Sequence, residues 1–362
     1  QSNMVMPLNG FDYCPISDSN NVIADAPNHP GIRMVTIKPT VKLSPQEYAE
    51  GSWQQPTTEN APKFSAAAYH YALTLQRTLQ IPIGVITCAW GGSRVEGWLP
   101  KEILQTYKDE DLTLIGSDKT PVYLQSMLMY NGILYPCHKY TIKGFIWYQG
   151  ESNVRSSRTY AERLATMVKH WRSIWKQGDL PFYYVETVPF ACEYKEDGYI
   201  GALLREAQQK ALSLIPNSGM IGTNDLVETY EAPQVHPHNK KGIGERLAYM
   251  SLNKTYGYQG IESEHPSYKS MKINGETIEI SFSHAEKGLS PWMNISGFEI
   301  AGSDKVFYPA EASLNQKDHT VIVKSPTVKS PVAVRYCFRN FLKGNLINTR
   351  NLPVRPFRTD KW

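Results

Sequence analysis

The sequence predicts an α/β protein, a parallel sheet covered by helices on both faces, followed by a smaller all-β region. Two observations carry this reading. Up to about residue 255, short apolar runs alternate with stretches of helical periodicity, the pattern of strand–helix–strand units. After Tyr256 the chain turns to short alternating strands with polar turns, and an Asn274-Gly275 pair between two such runs is a hairpin signal. We therefore expect a first domain over residues 1–255 and a second over 256–362. The length of 362 residues fits two domains or one large one.

Each element has its own local reason. Residues 31–37 read as a strand, and Asn60 stands as a cap ahead of Phe64, Ala68, Tyr71 and Leu75, apolar at helical spacing. Residues 81–89 form a strand buried on both faces, judging from Ile83, Val85, Ile86 and Cys88. Strands are expected at 141–148, 182–188 and 218–222, and helices at 159–175, 202–214 and 239–252. Beyond them come the hairpin at 271–282 and short strands at 297–301, 320–324 and 332–338.

Composition excludes several classes of function. Lys and Arg number 38 against 34 Asp and Glu, a net charge of +4 with no basic run of five, so neither nucleic acid nor an anionic membrane is an expected partner. No apolar stretch reaches the roughly 18 residues of a spanning helix. The five cysteines, Cys14, Cys88, Cys137, Cys192 and Cys337, form no Cys-x-x-Cys pair, which argues against a zinc ribbon or a thioredoxin-type site and leaves one disulfide open. With 22 Tyr and 8 Trp the chain has many flat surfaces for stacking on sugars, although most aromatics serve the core.

Ligands of a doubly wound sheet bind beyond the carboxyl ends of its strands. Four polar turns fall there: Gln1-Ser2-Asn3-Met4, Trp90-Gly91-Gly92-Ser93, Gln149-Gly150-Glu151-Ser152-Asn153, and the loop from Thr223 to His236-Pro237. Together they hold a serine, a histidine, glycine amides and side-chain amides, the parts that acyl transfer requires.

These four segments, with Trp98, Trp147-Tyr148 and the run from His236 to Ala248, resemble the sialate O-acetylesterase family of the SGNH/GDSL hydrolase superfamily. The tail segments Gly344–Asn348 and Pro356–Asp360 resemble that family's C-terminus, and the match follows the family's order along essentially the whole chain. The resemblance implies a flavodoxin-like, three-layer SGNH sheet with a β-rich appendage, and metal-free, cofactor-free removal of acetyl groups from sugar hydroxyls. It makes Ser2 the nucleophile and His236 the base. The Ser2 amide, the Gly92 amide and a side-chain amide of Gln149 or Asn153 become the oxyanion donors. The expected partner is an acetylated sugar or glycan, with 9-O-acetylated sialic acid first. Acetylated xylan or pectin, or a carbohydrate-binding relative without turnover, are the alternatives. Such substrates lie outside the cytoplasm, so a secreted, periplasmic or lysosomal location is expected.

Two departures stand out. Many relatives in the superfamily carry Asp three residues before the histidine, where this chain has Pro233. Asp225 is then the first candidate for the orienting acid and Glu231 the second, with a Ser–His dyad as the alternative. A nucleophile at position 2 also calls for a strand ahead of it, so a companion N-terminal segment supplying the first strand is expected. Arg94, directly after the glycine turn, is a candidate reader of a sialic acid carboxylate. Glu151 is expected to brace its turn by accepting backbone hydrogen bonds. His236 and His238 have zinc-compatible spacing, but Pro237, the helix onset and the lack of a third nearby ligand argue against a metal.

Overall fold

The computed structural model describes residues 1–191 and 198–362. In chain order its first part runs α1 (Ser2–Val5), α2 (Ser19–Asp25), β1 (Ile32–Thr36), α3 (Ala66–Leu79), β2 (Ile83–Thr87), α4 (Lys101–Leu104), β3 (Phe145–Trp147), α5 (Ser157–Trp175), β4 (Phe182–Val185), α6 (Ile200–Leu214), β5 (Ser218–Ile221) and α7 (Lys240–Lys254). The second part is all strand: β6 (Ser267–Asn274), β7 (Thr277–Ser283), β8 (Leu289–Ser290), β9 (Phe298–Ala301), β10 (Phe307–Pro309), β11 (Glu311–Asn315), β12 (Thr320–Lys324), β13 (Ala333–Tyr336), β14 (Ile347–Asn348) and β15 (Phe357–Arg358).

The strands of the first part pair in parallel, with isolated antiparallel bridges such as Met34 to Gln54 beside them. β1 pairs with β2, and β3, β4 and β5 pair in that order. Side-chain parity explains why helices cover both faces. Along β4, Phe182 and Tyr184 pack with Leu164, Val168 and Trp171 of α5 and Leu204 of α6, whereas Tyr183 and Val185 pack with Ile243, Leu247 and Met250 of α7. Adjacent residues of a strand point to opposite faces, so a strand without a polar residue must be covered twice. Among the described residues, β2 and β3 each have one edge without a strand partner, and residues of both line a common cleft of about 410 Å³.

Several boundaries differ from the sequence expectation. Helix α3 starts at Ala66, not after Asn60: Ser65 is the residue whose side chain accepts from the Ala68 N–H, while Asn60 opens a separate single turn through Pro62. β3 covers three residues where the apolar run suggested eight, because hydrogen bonding to β4 alone sets its length while Tyr148 stays buried past it. Asn239 caps α7 as its position suggested, accepting from Gly242 N–H at 3.0 Å.

The second part forms two four-stranded antiparallel sheets, β10-β9-β13-β15 and β11-β12-β7-β6, around a core that includes Ile280, Ile300, Val321, Val334 and Tyr336. The hairpin is present as β6–β7, with Gly275 at φ +60° in its turn. This region is bonded to the first: Arg358 forks Glu206 at 2.8 and 2.9 Å, and Arg355 donates to the Met220 carbonyl at 2.8 Å. Cys14, Cys88, Cys137 and Cys337 are free thiols, and Cys192 lies outside the described residues.

Candidate active site

The four polar turns converge. The Gln1 carbonyl accepts the Met4 and Val5 N–H groups at 3.0 and 3.1 Å, which folds residues 2–5 into one helical turn. Ser2, half-buried at its start, lies beside the glycine turn: a Cβ on Gly91 would sit 3.5 Å from the Ser2 Cβ. The turn closes through Ser93 N–H to the Trp90 carbonyl at 3.3 Å, with Gly92 at φ +75°, a conformation glycine takes without strain. The N–H groups of Ser2, Gly91 and Gly92 have no acceptor among the described residues. Such unspent donors beside a hydroxyl suit a developing oxyanion.

His236 closes the arrangement. Its Nε2 lies 2.7 Å from Ser2 Oγ, and the ring of Phe11 meets the imidazole edge-on at 5.5 Å between centroids. Burial, then the nearby Lys240 ammonium, hold the imidazole below its usual range, with Glu151 pulling the other way. A neutral Nε2 facing a hydroxyl is the state in which histidine acts as a base.

Other expected roles fall to other partners. Asp225 is engaged by Arg246 of α7, which donates to both carboxylate oxygens at 2.7 and 2.5 Å. Glu231 accepts from the His238 backbone N–H at 2.8 Å and lies 2.6 Å from its ring Nδ1, so it serves the neighbouring histidine. Among the described residues His236 Nδ1 has no hydrogen-bond partner. Arg94 is equally committed: its guanidinium donates to both oxygens of Glu110, to Ser126 Oγ and to the Leu124 carbonyl, which takes four of its five N–H groups.

The amides Gln149 and Asn153 are buried and face inward. Gln149 Nε2 donates to the Ser93 carbonyl at 3.0 Å and to Asn153 Oδ1 at 2.8 Å, which uses both of its N–H groups. Asn153 Oδ1 also accepts the Val95 N–H at 2.9 Å, while Asn153 Nδ2 donates to Glu96 at 2.9 Å. These side chains brace the glycine turn from behind. Glu96, fully buried, takes Arg163 Nη1 at 2.6 Å, so an ion pair between the glycine loop and α5 underlies the site. Among the described residues Glu151 accepts no backbone N–H, contrary to the expectation. It accepts the Asn3 side-chain amide at 2.7 Å.

Sequence reading missed Asn3, Glu96, Arg163 and Lys240. Lys240 is completely buried, and its Nζ donates to Asn3 Oδ1 at 2.9 Å and to the Pro237 carbonyl at 2.7 Å. Its one visible signal was its place four residues after His236, in a run otherwise readable as a solvated helix start.

Comparison with known proteins points the same way. The family described as carbohydrate esterase, sialic acid-specific acetylesterase, matches residues 41–253. The sialate O-acetylesterase of Homo sapiens is 24% identical over 290 residues, covering 74% of this chain and 54% of that protein. The Mus musculus protein of the same name is 22% identical over 390 residues, covering 93% and 71%. This chain spans about half the length of the first of these. The crystal structure of a carbohydrate acetylesterase from Xanthomonas citri superposes with a TM-score of 0.87 at 32% identity, covering 100% of this chain and 79% of that one.

Proposed function

The chain belongs to the sialic acid-specific acetylesterase family of carbohydrate esterases, and from that premise we propose that it is a serine carbohydrate O-acetylesterase working as a Ser2–His236 dyad, with sialate 9-O-acetyl esters as its first substrate. The observation that carries this is the 2.7 Å contact between Ser2 Oγ and His236 Nε2 beside the unspent amides of Ser2 and Gly92. Ser2 Oγ attacks the acetyl carbonyl as its proton passes to Nε2, and the two amides take up the charge on the carbonyl oxygen. The imidazolium returns that proton to the departing sugar oxygen. Water, deprotonated by the same imidazole, then releases acetate and restores Ser2.

On this reading residues 1–255 are the hydrolytic domain, of the flavodoxin-like, three-layer SGNH type, and 256–362 the β domain. A strand from a companion N-terminal segment occupies the cleft between β2 and β3, joining the two parallel sheets into one. Protection of the β2 and β3 amides from hydrogen exchange in the full-length protein tests that strand. Acetylated glycans outside the cytoplasm are the natural substrates, which fits a secreted, periplasmic or lysosomal enzyme.

The test is hydrolysis of p-nitrophenyl acetate and of 9-O-acetyl-N-acetylneuraminic acid by the wild type, Ser2→Ala and His236→Ala. Turnover by the wild type, with loss of about 10³-fold or more in each folded variant, is expected from removal of a nucleophile or its base. Wild-type turnover surviving Ser2→Ala overturns the mechanism. No turnover by the wild type on either ester favours a carbohydrate-binding relative, and selective turnover of acetylated xylan moves the substrate to plant polysaccharides.

A further inference from the structure

We propose that Lys240 is a positioning residue that holds the His236 imidazole against Ser2, in the role a triad acid has elsewhere. The inference rests on Ser2 and His236 being the reacting pair. These two residues stand 234 positions apart on different segments, and their geometry depends on what ties the segments together.

Two ties converge on the carbonyls of the residues either side of His236. The Asn3 side-chain amide donates to the Val235 carbonyl at 2.8 Å, and Lys240 Nζ donates to the Pro237 carbonyl at 2.7 Å. The ties are joined, because Lys240 Nζ also donates to Asn3 Oδ1 at 2.9 Å, and Asn3 directly follows the nucleophile. One buried ammonium therefore clamps the residue after the serine to the residue after the histidine. Asn3 extends the clamp to Glu151, which accepts its second amide hydrogen at 2.7 Å.

A triad acid fixes an imidazole from its Nδ1 side, but here no described residue partners that nitrogen. The backbone carrying His236 is held instead. An ammonium is an expensive way to build a clamp, since burying an unpaired charge opposes folding, and a residue kept merely for packing would be apolar. The groups facing Lys240 are the Glu151 and Glu231 carboxylates, the Cys14 thiol and the ring of Tyr148, whose centroid is 5.7 Å from Nζ. Burial, against the pull of those carboxylates, brings the ammonium down to about 7. His236 in turn faces Lys240 and Glu151.

The experiment measures kcat, KM and the pH profile of p-nitrophenyl acetate hydrolysis for the full-length wild type, Lys240→Met and Ser2→Ala. Misplacing a reacting group by about 1 Å costs on the order of 10²-fold. Lys240→Met should accordingly lose roughly that in kcat, with KM within about threefold. The midpoint of its activity rise should move to higher pH, because the cation that disfavours imidazolium is gone. Should Lys240→Met not fold, Asn3→Ala, which cuts the clamp but keeps the charge, should show the same kcat loss with an unmoved midpoint. Wild-type kcat and an unmoved midpoint in Lys240→Met, with Ser2→Ala inactive, overturn the role of Lys240 alone. A fully active Ser2→Ala overturns the site and this role with it.

Discussion

The ion pair beneath the glycine turn offers a quantitative test. Arg163→Met removes the buried pair with Glu96 at 2.6 Å and a contact with Asp109 at 2.6 Å, together with a longer approach to Glu110 at 3.8 Å and the guanidinium's place 4.6 Å over the Tyr107 ring. The Asp109 side chain is 62% exposed, so that arm contributes at most about 1 kcal/mol. The Glu96 arm is dry, with side chains 5% and 0% exposed, and removing one partner of such a pair costs about 3–5 kcal/mol. Glu96 is not wholly orphaned, since Asn153 still donates to it and Arg94 lies 3.9 Å away, which favours the lower end, about 3 kcal/mol. With 362 residues unfolding together, an entropy of about 2.1 cal/mol/K per residue turns that into a fall of roughly 4 °C in Tm. Loosening Asn153 and Gln149 should also lower kcat about tenfold, equivalent to about 1.4 kcal/mol. Calorimetry alongside p-nitrophenyl acetate kinetics reads both effects. Adding Glu96→Gln should recover part of the lost stability, because it neutralises the stranded carboxylate. A double variant less stable than Arg163→Met alone, or an unchanged Tm in the single variant, would refute the account of the turn as held by this pair.

Three further outcomes follow from the same structure. Gly92→Ala forces a side chain onto φ +75° and places its Cβ 2.7 Å from the Tyr123 ring, so it should cost about 1–2 kcal/mol and lower kcat. Gly91→Ala, whose nearest contact is 3.5 Å, should leave stability nearly unchanged, and equal denaturation midpoints for the two variants would contradict the role given to Gly92. Arg94→Ala should destabilise the protein without changing preference between sialate and neutral acetylated sugars, as competition kinetics can establish, because Glu110 already engages its guanidinium. Burial holds the His70 imidazole at about 4 against an ordinary 6.5. The unfolded chain therefore binds the extra proton between those values, and stability, full above pH 6.5, declines towards pH 4 by about 3 kcal/mol. Urea titrations across that range should show His70→Gln with a flatter acid limb, and an unchanged limb counts against the assignment.

What was legible in the sequence was what local pattern encodes. Apolar runs located all five described parallel strands of the first part because each is rich in apolar side chains, although the runs overshoot the hydrogen-bonded ladders at β2, β3 and β4. The four turns were legible because glycine and polar clusters punctuate strand ends, and resemblance supplied the pairing of Ser2 with His236. Charged partnerships across long separations were not. A carboxylate at a strand end has no sequence mark saying whether an imidazole or a guanidinium will reach it, and at Asp225 the guanidinium of Arg246 did. Gln149 and Asn153 carry the right groups for an oxyanion hole, yet an amide's direction is set by its surroundings, and theirs point to Ser93, Val95 and Glu96. Lys240 carried no mark of its role because nothing local shows that Asn3, 237 residues earlier, arrives on top of it.

The bonds that Arg355 and Arg358 make to Met220 and Glu206 have a consequence for biosynthesis. Arg246, which grips Asp225 in the loop leading to His236, also donates to the Asn351 carbonyl at 3.3 Å. Residues translated more than a hundred positions after the histidine thus complete the support of the loop that presents it. On the ribosome, the α/β region emerges and collapses before these arginines exist as peptide, so its base-bearing loop waits half-supported until the β strands have emerged. The loop acquires its full support late in synthesis, and a nascent chain halted before residue 351 carries both Ser2 and His236 without the last bond of that frame.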